Sequence, residues 1–126
     1  MSNLKQTIAD YFAATRAMDA EAFVQAFAPD AVSHDPVGAP PHHGQDAIRQ
    51  FITGVMSGFE TVGLTEKNVF ISGNSAAVMW TGRGRTKTGR DITFEGIDVI
   101  EGNKDGKIQT LRAFWDPAPV IAALQG

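Results

Sequence analysis

Four β-rich runs fill the second half of the chain, at 61–72, 75–87, 90–101 and 107–115. The breaks between them are Gly73-Asn74, Thr88-Gly89 and the segment 103–106, all with residues that suit tight turns. Long strands joined so closely can form little but an antiparallel meander. One face of such a sheet must be covered, and only the N-terminal half is left to cover it.

That half reads as helical. Ser2 or Asn3 can cap a first helix whose inward positions are Leu4, Ile8, Tyr11, Phe12 and Thr15. Asp19 can cap a second, carrying Phe23, Val24 and Phe27 and ending before Pro29. An extended piece at 31–34 leads to a loop, and a third helix starts near Gly44 with Ala47, Ile48, Phe51, Ile52 and Val55 inward. The tail from Asp116 predicts one last short helix. The expected class is α+β, in a single domain over 1–126.

Composition narrows the function classes. The net charge of −3 gives no basic field to attract nucleic acid or anionic membrane. Without cysteine, disulfides and thiolate chemistry are excluded. No apolar run approaches the ~20 residues of a membrane span. The first residues lack a basic stretch followed by an apolar one, so a cytoplasmic protein is expected. His34, His42 and His43 lie close together but match no metal-ligand spacing, so no metal is expected.

One acid stands out. In "DITFEGIDVIEG" the side chains of Ile92, Phe94, Gly96, Asp98 and Ile100 share a face. Asp98 thus sits in the apolar phase of a strand, where it must be paired or protonated. The strand alone leaves a structural ion pair open. A two-residue turn at Thr88-Gly89 predicts Asp98 opposite Met79, Gly96 opposite Thr81 and Phe94 opposite Arg83. A four-residue loop at 103–106 predicts Asp98 opposite Leu111, and a five-residue loop would bring Arg112 there instead. The expected lining is Met79, Thr81, Phe94, Gly96, Leu111, Ala113 and Trp115, with Phe51 facing it from the third helix. Arg83 would mark its distal end, about 13 Å from Asp98 at ~3.3 Å per residue. Such a surface suits a small hydrophobic ligand, and equally an ordinary core.

A second acid, Asp35, opens the proline- and glycine-rich loop "DPVGAPPHHG". Asp-Pro is also a common turn initiator, so this position alone decides nothing.

These residues together resemble a family. "DPVG" at 35–38 with Pro41 and Gly44 beyond, the separation of Tyr11 from Asp35, "IDVI" at 97–100 and "GKIQTLRAFW" at 106–115 are similar to the bacterial ketosteroid isomerases, within the nuclear-transport-factor-2-like (NTF2-like) superfamily. The resemblance runs from Leu4 to Trp115. It implies a cone of N-terminal helices on a strongly curved, mostly antiparallel sheet with an internal pocket. It implies a general base at Asp35, and an oxyanion hole from Tyr11 and a protonated Asp98, a role for which this family is the known case. It places an indole beside the base at Trp115. The implied reaction moves a C=C bond of a steroid-like β,γ-unsaturated ketone into conjugation, without cofactor, in a homodimer. Two positions where characterised members carry further tyrosines read Phe27 and Ile52, and Tyr11 is the only tyrosine in the chain. Other classes on such a scaffold are a polyketide-cyclase-like enzyme, an epoxide hydrolase using an Asp-Arg-Asp cluster, and a non-catalytic ligand-binding dimer.

Overall fold

The computed structural model describes residues 3–125. Its elements are α1 (Leu4–Ala17), α2 (Ala20–Gln25), β1 (Phe27–His34), β2 (His42–His43), α3 (Gly44–Ser57), β3 (Phe59–Ser72), β4 (Ser75–Thr86), β5 (Asp91–Gly102), β6 (Ile108–Phe114) and α4 (Ala118–Gln125). The Asn3 side chain accepts from Gln6 N at 3.0 Å and Asp19 from Ala22 N at 3.0 Å, so two caps fall where the sequence put them. The alternative cap, Ser2, lies outside the described residues. No described helix is long and apolar enough to cross a membrane.

The strands form one curved mixed sheet in the order β2-β1-β6-β5-β4-β3. The meander β3 to β6 is antiparallel, while β1 runs parallel to β6. Register shifts in β3 between Phe59 and Thr61 and between Glu66 and Asn68 mark irregularities of the kind that bend a sheet. Strand β1 begins at Phe27, earlier than expected. Pro29 lies inside it, where the pairing with β6 is interrupted between Phe27 and Val32. Proline donates no ladder bond, so it fits at such an interruption.

Two registers differ from those the turns suggested. Between β4 and β5 the pair Thr86–Arg90 closes a three-residue turn, Lys87 to Gly89. Thr86 N donates to Arg90 O at 2.8 Å, and Gly89 takes a φ of +89°, a conformation glycine adopts without strain. Asp98 therefore opposes Val78 instead of Met79, Gly96 opposes Trp80 instead of Thr81, and Phe94 opposes Gly82 instead of Arg83. The β5–β6 connection is longer than four residues and is organised by Asn103, whose side chain accepts from Asp105 N and Lys107 N. With a further slip between Glu101 and Gly102, Asp98 opposes Ala113, not Leu111 or Arg112.

Helix α1 crosses the sheet at its far edge. Thr15 Oγ1 donates to Phe12 O at 2.6 Å and accepts from Leu64 N at 2.9 Å, tying α1 to β3. The approach is close at Gly63, where an added Cβ would lie 2.9 Å from Arg16 Cα. We expect Gly63→Ala to push α1 off β3 and to destabilise the fold by about 1–3 kcal/mol. Urea denaturation would read this as a lower midpoint with an unchanged slope.

Candidate active site

The inner face of the sheet, α1, α3 and α4 enclose a cavity of about 300 Å³. Its polar residues include Tyr11, Asp35 and Asp98, and no Lys, Arg or His lines it. Each of the three arrives by a different structural route.

Tyr11 lies on the buried face of α1 and is 1% exposed. Phe12, Phe23 and Phe27 surround its ring at centroid distances of 5.0, 4.8 and 5.8 Å. Burial, then the nearby Asp98 and Asp35, hold its hydroxyl pKa well above 10. The phenol stays protonated and is a donor.

Asp35 is set by the parallel pairing of β1 with β6. Ser33 pairs with Leu111 and His34 with Arg112, so one further step brings residue 35 level with Ala113. The Asp35-Pro36 peptide is cis, and Val37 N donates to Ala113 O at 2.8 Å, pinning the loop to β6. Trp115 Nε1 donates to Asp35 Oδ1 at 2.7 Å. Burial raises the carboxyl to about 6, with the indole donor pulling the other way.

Asp98 stands on β5 opposite Ala113. Asp35, Ala113 and Asp98 thus form one row across three neighbouring strands, which puts the two acids roughly 10 Å apart along the row. Asp98 is 1% exposed. Trp80 Nε1 donates to its Oδ1 at 2.9 Å, and its Oδ2 has no hydrogen-bond partner. Burial first, then the charge of Asp35, push its pKa to about 8. Of the two carboxyls in the cavity, Asp35 is therefore the more acidic and Asp98 holds its proton more firmly.

Of the other expected lining residues, Phe51, Phe94, Ala113 and Trp115 border the cavity. Met79, Thr81 and Arg83 do not. The one-residue slip of the β4–β5 register turns them to the outer face, where Met79 and Arg83 are exposed and Thr81 is half-buried. Leu111 is buried opposite Ile100, away from the cavity. Gly96 opens no space, because Trp80 and Trp115 fill its missing side chain: an added Cβ would lie 2.6 Å from Trp80 Cζ2. Arg112 opposes Val99 on the outer face, with its guanidinium 5.2 Å from the Phe114 ring centroid, so an Asp-Arg-Asp cluster does not form. The three histidines do not converge, and no cluster that could hold a metal occurs among the described residues. His42 stacks on Phe51 at 4.5 Å.

Sequence reasoning missed Trp80, the partner of Asp98. It also missed the cover from α4, whose Val120, Ile121 and Leu124 border the cavity. A register with Met79 opposite Asp98 leaves Trp80 on the outer face, which is why it was not found. The apolar spacing of 120, 121 and 124 on a helix was the available signal for the cover.

The raised Asp98 pKa makes a stability prediction. The folded value of about 8 lies above the unfolded one, so folding is opposed once the unfolded chain ionises. Asp98→Asn removes that opposition. The difference between the two proteins should be constant below pH 4, move in favour of Asp98→Asn by up to about 1.4 kcal/mol per pH unit as pH rises, and level off above pH 8. Parallel denaturation series for the two proteins check this, and a difference constant with pH would contradict it.

Residues 8–111 match the SnoaL-like domain. A Steroid Delta-isomerase from Nocardioides simplex is 31% identical over 121 residues, covering 95% of both chains. An NTF2-like protein of unknown function from Burkholderia pseudomallei superposes with a TM-score of 0.84 at 26% identity over the whole of both chains. The epoxide hydrolase/cyclase-like enzyme SalBIII shares the fold, with a TM-score of 0.81 at 24% identity over 91% of this chain and 92% of its own. This chain belongs to the SnoaL-like family, on the NTF2-like fold, with a steroid isomerase among its homologues.

Proposed function

We propose that the protein is a cofactor-independent isomerase that moves the double bond of a hydrophobic β,γ-unsaturated ketone into conjugation. The observation that carries the reading is the pair of unequal carboxyls in one apolar cavity. Asp35 is ionised at neutral pH and can accept a proton, and Asp98 is neutral and can donate a hydrogen bond. Homology to a steroid isomerase supports the same reaction class.

Asp35 removes a proton from the carbon between the carbonyl and the double bond. The electron pair moves onto the ketone oxygen and gives a dienolate. Tyr11 and Asp98 donate hydrogen bonds to that oxygen. Asp35 then returns the proton at the γ carbon, and the carbonyl re-forms with the double bond conjugated to it. Donors already aimed at a developing charge need no reorganisation and are worth roughly 10²–10³ in rate each. A cavity without cationic side chains favours a neutral ligand, and Arg83, expected at its distal end, lies instead on the outer face.

The outer sheet face supports the expected homodimer. Met79, Ile97 and Phe114 stand side by side across β4, β5 and β6, each 42–43% exposed. Glu95 and Arg112 are exposed on the same face, so a two-fold pairing can set acid against base around an apolar stripe. Ile97→Lys should reduce the sedimenting mass to that of one chain. A wild type that already sediments as one chain at micromolar concentration would remove the dimer.

The activity test is appearance of conjugated-enone absorbance with a β,γ-unsaturated ketosteroid. Asp35→Asn should lower kcat by at least about 10²–10⁴ with folding intact. In wild type, kcat/KM should rise through pH 6 as Asp35 ionises and fall through pH 8 as Asp98 loses its proton. Full turnover in Asp35→Asn would overturn the assignment of the base.

A further inference from the structure

The two oxygens of Asp98 have unlike surroundings. Oδ1 accepts from Trp80 Nε1, and Oδ2 is buried without a partner on a carboxyl that borders the cavity. An indole N–H can only donate. In a neutral carboxylic acid the carbonyl oxygen is the better acceptor, so the oxygen facing the indole is the carbonyl and the other carries the hydrogen. We infer that Trp80 is a positioning residue that, by occupying Oδ1, fixes the acid proton of Asp98 on Oδ2, the oxygen left for a ligand. The inference deepens the isomerase reading and rests on it for its kinetic consequence.

The indole is held for this purpose from several sides. Trp80 opposes Gly96, two residues along from the Val78–Asp98 pair and on the same face. Its ring occupies the space that any side chain at Gly96 would take. Phe94 and Trp115 meet it edge-on at centroid distances of 5.8 and 6.5 Å. Trp80 is 2% exposed, so no water competes freely for its N–H. Without that donor the Asp98 carboxyl could rotate and present either oxygen to the cavity. A ligand carbonyl would then meet an acceptor as often as a donor.

Trp115 makes the corresponding bond to Asp35, with a different result. Asp35 is the acid that ionises near neutral pH, so its indole partner stabilises charge and leaves the other oxygen as a base. Asp98 stays neutral, so its indole partner sorts the oxygens. The charged or titratable groups acting on Asp98 across the cavity are Asp35 and Tyr11, and neither donates to Oδ1.

The test replaces the N–H and keeps the shape. Trp80→3-benzothienylalanine puts sulfur where the nitrogen was, and Trp80→5-fluorotryptophan keeps the donor as a control. Two readouts are followed: the carboxyl ¹³C shift of labelled Asp98 against pH, and kcat and KM on the ketosteroid. Loss of the donor should raise the Asp98 midpoint by about one to two pH units. It should lower kcat about tenfold with KM within about twofold. The fluorinated protein should match wild type in both. An unchanged midpoint in the sulfur variant would overturn the inference, as would an unchanged kcat in an active enzyme. Should wild type turn over no ketone, the isomerase reading falls, and the titration still decides whether Trp80 holds Oδ1.

Discussion

The parallel pairing of β1 with β6 is the constraint on which the rest of the site depends. The meander alone would yield a sheet with one acid in its inner wall. The second acid comes from a loop more than 60 residues earlier, and only the β1–β6 ladder brings it to the same row. The tie from Val37 N to Ala113 O and the bond from Trp115 to Asp35 then hold it there. A slip of one residue in this ladder would turn Asp35 to the outer face, beside Arg112. The long-range pairing and the candidate chemistry are therefore the same feature.

Burial and hydrogen bonding compete at each acid, and the outcome differs. Asp98 is almost wholly enclosed and feels the charge of Asp35, so desolvation prevails over the Trp80 donor and the pKa reaches about 8. Asp35 is raised by burial alone, against the Trp115 donor, with no neighbouring charge adding to it, so the rise stops near 6. One apolar cavity thus separates two chemically identical groups across neutral pH. The mechanism is general: a low-dielectric wall penalises the second charge more once the first is present.

What the sequence disclosed follows from what periodicity can carry. Element types, the caps at Asn3 and Asp19 and the face of Asp98 were legible, because each rests on local spacing. Register was not. "KTG" at 87–89 is compatible with a two- or three-residue turn, and the choice reverses every side chain of β4. Met79, Thr81 and Arg83 were lost from the cavity for that one reason, and Trp80 was gained. On β6 the offset was two residues, which preserves the face, so Ala113 and Trp115 remained in the lining although Asp98 met a different partner. The roles of Tyr11 and Asp35 came from resemblance, since neither residue announces its place through pattern.

The absence of tyrosines at Phe27 and Ile52 gains meaning from this geometry. Phenyl rings pack around Tyr11 and raise its pKa, so it keeps its proton firmly. Asp98, at about 8, is by far the more acidic of the two donors. On the isomerase reading a dienolate oxygen takes its stronger hydrogen bond from the more acidic donor. That places the greater share of oxyanion stabilisation on Asp98 and makes its orientation the more consequential of the two. A donor that fixes Asp98 then matters more than one that fixes Tyr11, and the chain supplies an indole at Trp80, on the acid's side of the cavity.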